Sequence, residues 1–252
     1  MPAATPVAKR RAPAPASPSG DPAPLIRSIP FLGGAPAEPP RLTDRQRQDL
    51  LAIATRLRLP PRLTLYQEAA PASSLFVVGE GAVKAFRDLP SGKRRVAAFL
   101  FRGDVFGLAE NGRYLNTART ITRVTLFRLP IDKLTELLRH DAELQFKVLC
   151  KVTHELREAQ RRAIVVSRRD AAGRLAMFLV MIKPHLDDLD ARPETIQLPM
   201  SRSDIADYLA LSLEAVSRAS AELERRKLVK FEDRHTARVL DEKRLVALAE
   251  AV

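Results

Sequence analysis

The apolar residues of this chain change period at Pro130. Before it they come in short runs separated by turn residues, and after it they recur every three or four positions. A chain of 252 residues divided in this way must build a sheet-rich half and a helical half, an α+β class. Its 46% of apolar residues is enough to give both halves a core. With no Trp and only three Tyr, that core has to come largely from Leu, Val, Ile, Ala and Phe.

Residues 1–40 stand apart. They hold 11 Pro and 9 Ala, which removes backbone donors and leaves little to bury, so the segment reads as a disordered tail. Its apolar cluster of Leu25, Ile26, Ile29, Phe31 and Leu32 is either a short partner motif or simply solvated. No stretch approaches about 18 consecutive apolar residues, so no membrane-spanning helix is expected. Lys9, Arg10 and Arg11 are followed by no apolar run, so a secretory signal is not expected either, and the expected location is the cytoplasm. The single cysteine, Cys150, excludes a disulfide within the chain and a cysteine-rich zinc or iron–sulfur site.

The net charge of +12 invites a nucleic-acid reading, but its distribution does not carry one. Residues 41–140 hold 18 basic and 9 acidic side chains, whereas residues 167–252 hold 15 of each. A DNA-binding C-terminal half would need its cations gathered on one face.

Within 41–140, Thr43 opens a short helix carrying Leu50, Leu51, Ile53, Ala54 and Leu57, ended by Pro60 and Pro61. The runs 75–78 and 82–87 flank Gly79-Glu80-Gly81 and predict a tight hairpin; with no helix start behind it, this turn outweighs a phosphate loop. A second turn, Leu89-Pro90-Ser91-Gly92, leads into a strand over 95–100. Gly103-Asp104 turns the chain again, and short strands are expected at 117–121 and 124–129.

After a short helix ending near Leu138, residues 141–166 predict one helix of roughly 39 Å. Leu144, Val148, Val152, Leu156, Ala159 and Ala163 recur along it at three- and four-residue steps, flanked by Lys147, Lys151, Glu155, Glu158, Arg161 and Arg162. A narrow apolar stripe between charged flanks is the pattern of a coiled-coil seam and predicts a homodimer; packing on its own domain is the alternative. Cys150 lies beside the stripe, either as an inert buried thiol or as a redox switch. Ser167 is expected to cap a further helix with Leu175, Ala176, Phe178, Leu179 and Ile182 inward, ended by Pro184, which makes 166–167 a hinge.

The segment 198–225 carries the chemistry. Ser201, with Asp204 three residues on, forms a capping-box pair, and Ile205, Ala206 and Leu209 make one buried side. Ala210-Leu211 turns the chain, and Ser212 caps a second helix with Ala215, Val216, Ala219 and Leu223 inward. This is the spacing of a helix-turn-helix. Glu214, Ser217 and Arg218 share an outward face near the start of the second helix, where a recognition helix meets base edges. Arg can pair with guanine O6 and N7, Glu can accept from cytosine N4, and Ser can reach either, so these three are the expected base readers. A solvated Glu–Arg pair is the bland alternative. Residues 228–231, the turn 232–235 and residues 237–240 read as a two-stranded wing. Lys230, Arg234 and Arg238, with Arg202 and Ser212 at the two helix starts, are the expected contacts to the DNA backbone, although the wing cations could equally be ordinary surface charge.

Together these features resemble the Crp/Fnr family of bacterial transcription regulators, within it the Fnr/FixK-like branch. The resemblance covers about residues 42–250 and is strongest over Arg202-Ser-Asp-Ile-Ala-Asp-Tyr-Leu-Ala-Leu-Ser-Leu-Glu-Ala-Val-Ser-Arg218, with Gly103-Asp-Val-Phe-Gly107 in the first half. It implies an antiparallel β-roll sensor, like a cyclic-nucleotide-binding domain, over 41–140, a dimerisation helix over 141–166 and a winged helix-turn-helix domain over 167–252. It also implies a homodimer on double-stranded DNA, reading an inverted repeat of TTGA-like half-sites through Glu214, Ser217 and Arg218, with RNA polymerase as a protein partner. Ala210 stands where the family usually has Gly in the turn, which predicts modest local strain.

The sensor half departs from its cyclic-nucleotide-binding relatives. Phe106-Gly107 is followed by Leu108 where those relatives carry Glu, and neither Arg113 nor Arg119 restores their phosphate-binding pattern. Cyclic AMP is therefore not expected as the effector. The N-terminal cysteine cluster of the oxygen-sensing relatives is missing, so no iron–sulfur cluster is expected either. His140, His154, His185 and His235 show no metal-ligand spacing, while a haem, which needs only one axial ligand, stays open. The chain carries no nucleophile elbow, Gly-Lys-Ser/Thr loop or Glu-His zinc signature, so no enzymatic activity is expected. The rival reading is a ligand-binding regulatory module that acts through protein partners without specific DNA binding.

Overall fold

A computed structural model describes residues 42–167, 170–186 and 194–251. The Pro/Ala-rich segment read as a disordered tail lies outside the described residues. The first helix, α1 (Asp44–Ile53), is held by a reciprocal cap: Thr43 Oγ1 accepts from the Gln46 N–H, and Gln46 Oε1 accepts from the Thr43 N–H. The helix stops earlier than the double proline suggests. Thr-Arg-Leu-Arg-Leu alternates with period two and forms β1 (Thr55–Leu59), so Leu57 lies in a strand.

Nine more strands follow before the helical half: β2 (Thr64–Tyr66), β3 (Ser74–Glu80), β4 (Val83–Asp88), β5 (Arg94–Leu100), β6 (Val105–Phe106), β7 (Ala109–Glu110), β8 (Arg113–Tyr114), β9 (Thr117–Thr120) and β10 (Val124–Pro130). They form two antiparallel four-stranded sheets, in the orders β1-β10-β3-β6 and β2-β9-β4-β5, beside the small pair β7-β8. Phe76, Val78, Val83, Leu100, Phe106 and Leu126 pack in one core. Tyr66 joins them, stacked at 3.8 Å on Tyr114 and 5.8 Å on Phe76.

The turn at Gly79-Glu80-Gly81 does not close a hairpin. β3 pairs with β10 and β6, and β4 pairs with β9 and β5, so the turn passes the chain between sheets. Gly81 has φ +82°, and a Cβ there would collide with the Arg123 carbonyl oxygen. Turn chemistry is the same in a hairpin and in a sheet-to-sheet crossing, which is why the sequence pattern misleads here. The turn 89–92 does close the β4–β5 hairpin: Gly92, at φ +76°, donates its N–H to the Leu89 carbonyl at 2.9 Å.

The helical half begins with α2 (Ile131–His140), α3 (Ala142–Ser167) and α4 (Ala171–Leu186). Ser167 is the last residue of α3 and not the cap of α4; the Asp170 carboxylate accepts from the Gly173 N–H at 2.5 Å instead. Pro184 lies inside the last turn of α4, which runs on to Leu186. Then come β11 (Thr195–Gln197), α5 (Arg202–Leu209), α6 (Leu213–Arg225), β12 (Val229–Phe231), β13 (Thr236–Val239) and α7 (Glu242–Glu250). The wing has three strands, ordered β11-β13-β12, because β11 adds to the expected pair.

Leu175, Phe178 and Leu179 of α4 form the second core with Ile205, Leu209, Val216 and Leu223, each side chain contributing about 1.5–3 kcal/mol on burial. That core also takes in Ala82 and Phe101 from the sheet half, so the two halves share one apolar cluster.

Candidate nucleic-acid interface

The first helix of the helix-turn-helix, α5, starts at Ser201, whose Oγ accepts from the Asp204 N–H at 3.1 Å and donates to Asp204 Oδ2 at 2.9 Å. It ends at Ala210, which adopts the left-handed conformation with φ +55°. The Leu211 N–H then bonds back to the Ala206 carbonyl at 2.9 Å, and Ser212 Oγ accepts from the Ala215 N–H at 3.1 Å to open α6. Val216, Ala219 and Leu223 of α6 are buried, which turns the opposite face outward.

That face carries Glu214, Ser217 and Arg218, all exposed. Arg218 Nη1 lies 3.3 Å from Glu214 Oε1. The three sit in the first turns of α6, at the positive end of the helix dipole, where unsatisfied N–H groups favour a phosphate-bearing partner. A groove of about 610 Å³ runs beside them, lined by Ser201, Arg202, Ser203, Ser217 and Arg234 among others.

The residues expected on the DNA backbone have distinct settings. Arg202 donates from Nη1 to Ser220 Oγ at 3.0 Å and lies 4.5 Å over the Phe231 ring. Burial lowers its pKa from the ordinary arginine value, and its guanidinium ties α5, α6 and the wing together while still facing the groove. The Ser212 hydroxyl serves as the α6 cap. Lys230 and Arg234 are exposed, and Arg238, paired across the strands with Lys230, has Nε 3.3 Å from Glu232 Oε1. The wing turn is built by Asp233, which accepts from the His235 N–H at 2.6 Å and from Thr236 Oγ1 at 3.0 Å. The structure thus brings Ser217, Arg202 and Arg234 to one groove, while Lys230 and Arg238 stand on the wing strands.

The α3 stripe divides in two. Leu144 is fully buried within its own chain, in the first turn of α3, where the Asp141 carboxylate accepts from its N–H at 2.8 Å and the helix packs on α2. It therefore has no surface left for a partner, and its place in the expected seam is corrected. Val148 is half-buried, while Val152, Leu156, Ala159 and Ala163 are exposed. Leu149 and Ile164, absent from the sequence-derived seam, are also exposed, at 59% and 58%. Their signal was present as apolar residues one helical step off the stripe, but only the packing of Leu144 shows which way the helix is rotated. Cys150 is buried, and burial pushes its thiol up, the setting of an inert cysteine.

Between the sheets and α3 lies a cavity of about 370 Å³, lined by Ala85, Leu100, Phe106, Leu108 and Asn116, with Val152 and Leu156 of α3. Among the described residues no group of three His, Cys, Asp or Glu is close enough to hold a metal ion, and no helix is long and apolar enough to cross a membrane.

Residues 56–141 match the family model of the cyclic nucleotide-binding domain, and residues 173–248 match that of the Crp-like helix-turn-helix domain. The chain is 34% identical over 199 residues to the transcriptional activatory protein AadR of Rhodopseudomonas palustris, covering 79% of this chain and 83% of that one. It is 33% identical over 180 residues to the nitrogen fixation regulation protein FixK of Bradyrhizobium diazoefficiens, covering 69% and 73%. The solved structure of FixK2 from Bradyrhizobium japonicum superposes with a TM-score of 0.72 at 30% identity, over 79% of this chain and 99% of that one.

Proposed function

The chain belongs to the Crp/Fnr family of transcription regulators, and on that premise we propose that it binds, as a homodimer, an inverted repeat of TTGA-like half-sites in double-stranded DNA. The observation that carries this reading is the exposed face of α6, where Glu214, Ser217 and Arg218 stand together at the helix start with the inner face buried. The dimer is supported by the exposed apolar side chains of α3, Leu149, Val152, Leu156 and Ile164, which water alone would leave unfavourably solvated. The regulator works in the cytoplasm in company with RNA polymerase and catalyses no reaction itself; the relatives it matches are named as regulators, not enzymes.

The same reading gives the sensor half an effector other than a cyclic nucleotide. A cyclic nucleotide carries a phosphate anion and a ribose hydroxyl, and among the described residues that line the cavity there is neither a cation nor a carboxylate. Leu108 takes the place a carboxylate would need, Arg113 donates to the Ala69 carbonyl, and Arg119 to Thr64 Oγ1. These residues do not fit the group. Nor does the chain hold the cysteines of an iron–sulfur cluster.

The deciding experiment is a gel mobility shift with the full chain on an inverted-repeat duplex of TTGA-like half-sites and on a scrambled duplex of equal length. Preference for the repeat is expected at moderate salt. Equal binding to both would favour the rival module that acts through protein partners.

A further inference from the structure

Lys84 and Phe99 are register partners on β4 and β5, side by side on the outer face of the second sheet. Asp204 and Tyr208 stand one helical turn apart on α5. The two pairs meet. Lys84 Nζ forms an ion pair with Asp204 Oδ1, both side chains being only 13% exposed, and the Phe99 ring lies 5.2 Å from that of Tyr208. Phe178 of α4 completes an aromatic trio, 6.0 Å from Phe99 and 5.4 Å from Tyr208. Phe101, just past the end of β5, stacks on His185 at 5.8 Å. Burial and the neighbouring Asp204 carboxylate push the Asp207 carboxyl of α5 above the usual range, and Arg95 and Arg94 of β5 and Lys84 of β4 partly offset this from across the contact.

From this juxtaposition we propose that Lys84 is a positioning residue for DNA binding, setting the angle at which the helix-turn-helix leaves the sensor sheet of its own chain. The inference rests on the proposed function, because an angle matters only to a dimer that must place two recognition helices on two half-sites. Those half-sites lie about one DNA turn, roughly 34 Å, apart, so a tilt of the domain takes one helix out of register while leaving each free to bind alone. The clasp is compatible with binding, since Glu214, Ser217 and Arg218 all remain exposed while α5 is docked. The Asp204 carboxylate also accepts from the Ser201 N–H and completes the capping box of α5, so the sensor lysine grips the helix-turn-helix at the point where its first helix begins. An ion pair so far withdrawn from water is directional, and the aromatic trio beside it resists sliding.

The test uses full-length Lys84→Glu, Lys84→Met and Lys84→Arg proteins with three duplexes: the inverted repeat, a single half-site of equal length, and a scrambled sequence. Lys84→Glu and Lys84→Met are expected to lose about tenfold or more on the inverted repeat, as befits a broken, largely buried charge pair, with little change on the single half-site. Lys84→Arg keeps the charge and should keep the preference for the repeat. Hydrogen exchange of the free proteins supplies a readout that needs no DNA: exchange should rise in 94–100 and 202–209 of the Glu and Met variants and remain unchanged in the first core. Equal loss on both specific duplexes, tighter binding to the repeat, or unchanged exchange in those two segments overturns the proposal. A wild-type protein without preference for the repeat overturns the proposed function instead, and the exchange data then still decide whether the clasp exists.

Discussion

Arg218 and Glu214 face each other at 3.3 Å on the outer side of α6, one helical turn apart, with both side chains more than 70% exposed. An ion pair so open to water is worth little to the fold, and its partners are free to exchange each other for base edges. Arg218→Ala should remove a bidentate contact to guanine worth about 1–3 kcal/mol per half-site. A palindrome meets the residue twice, so the loss in affinity should approach the square of the single-site factor. Arg234→Ala in the wing should instead weaken specific and random duplexes alike and lower the salt slope by about one per phosphate contact. Fluorescence anisotropy across a salt series separates the two; equal weakening of all duplexes by Arg218→Ala would make that residue a phosphate contact.

Dimerisation is expected to fail in the double variant Val152→Glu, Leu156→Glu. Both side chains are exposed in the single chain, at 43% and 59%, so the fold should tolerate the change. In a dimer the same positions would bury carboxylates without partners, costing several kcal/mol, about 2 or more per group. Light scattering should report a monomer with an unchanged circular dichroism spectrum, and a persisting dimer would place the interface elsewhere. Leu144→Ala should behave in the opposite way, lowering stability by about 2–5 kcal/mol as a core cavity would, with the dimer retained in the folded fraction.

Ala210 occupies a left-handed conformation that an L side chain adopts at a cost of roughly 1–2 kcal/mol. Ala210→Gly relieves that strain, partly offset by the greater freedom of Gly in the unfolded chain. A net gain of about 1 kcal/mol is expected in the denaturant midpoint, with specific DNA affinity unchanged. A loss of stability would mean that the Ala210 methyl contributes packing that outweighs the backbone term.

Cys150 should resist modification in the native protein. Alkylation requires the thiolate, and burial both shields the sulfur and pushes the thiol up, so little thiolate forms near neutral pH. Iodoacetamide should label it slowly in buffer and rapidly in denaturant. Equal rates in the two would restore the redox-switch reading of this residue.

Much of the helix-turn-helix is legible from the chain because its determinants are local. Ser201 with Asp204, and Ser212 before Ala215, are caps set by residues three apart, and the inward positions of α5 and α6 follow from helical periodicity. Glu214, Ser217 and Arg218 share a face for the same reason. What the chain could not disclose depends on partners far along it. Whether Gly81 closes a hairpin or crosses between sheets is decided by β9 and β10, some 40 residues later, and period-two alternation is identical in both cases. The rotation of α3, which buries Leu144 and exposes Leu149 and Ile164, is set by the segments that fold onto the helix, α2 among them, and not by the stripe itself. Asp204 shows the division within one residue: its capping role is written in the neighbouring Ser201, while its pairing with Lys84 spans 120 positions. Short-range hydrogen bonds and periodicity act within a few residues and leave a mark on the sequence; long-range burial and charge pairing arise only when the fold brings distant segments together.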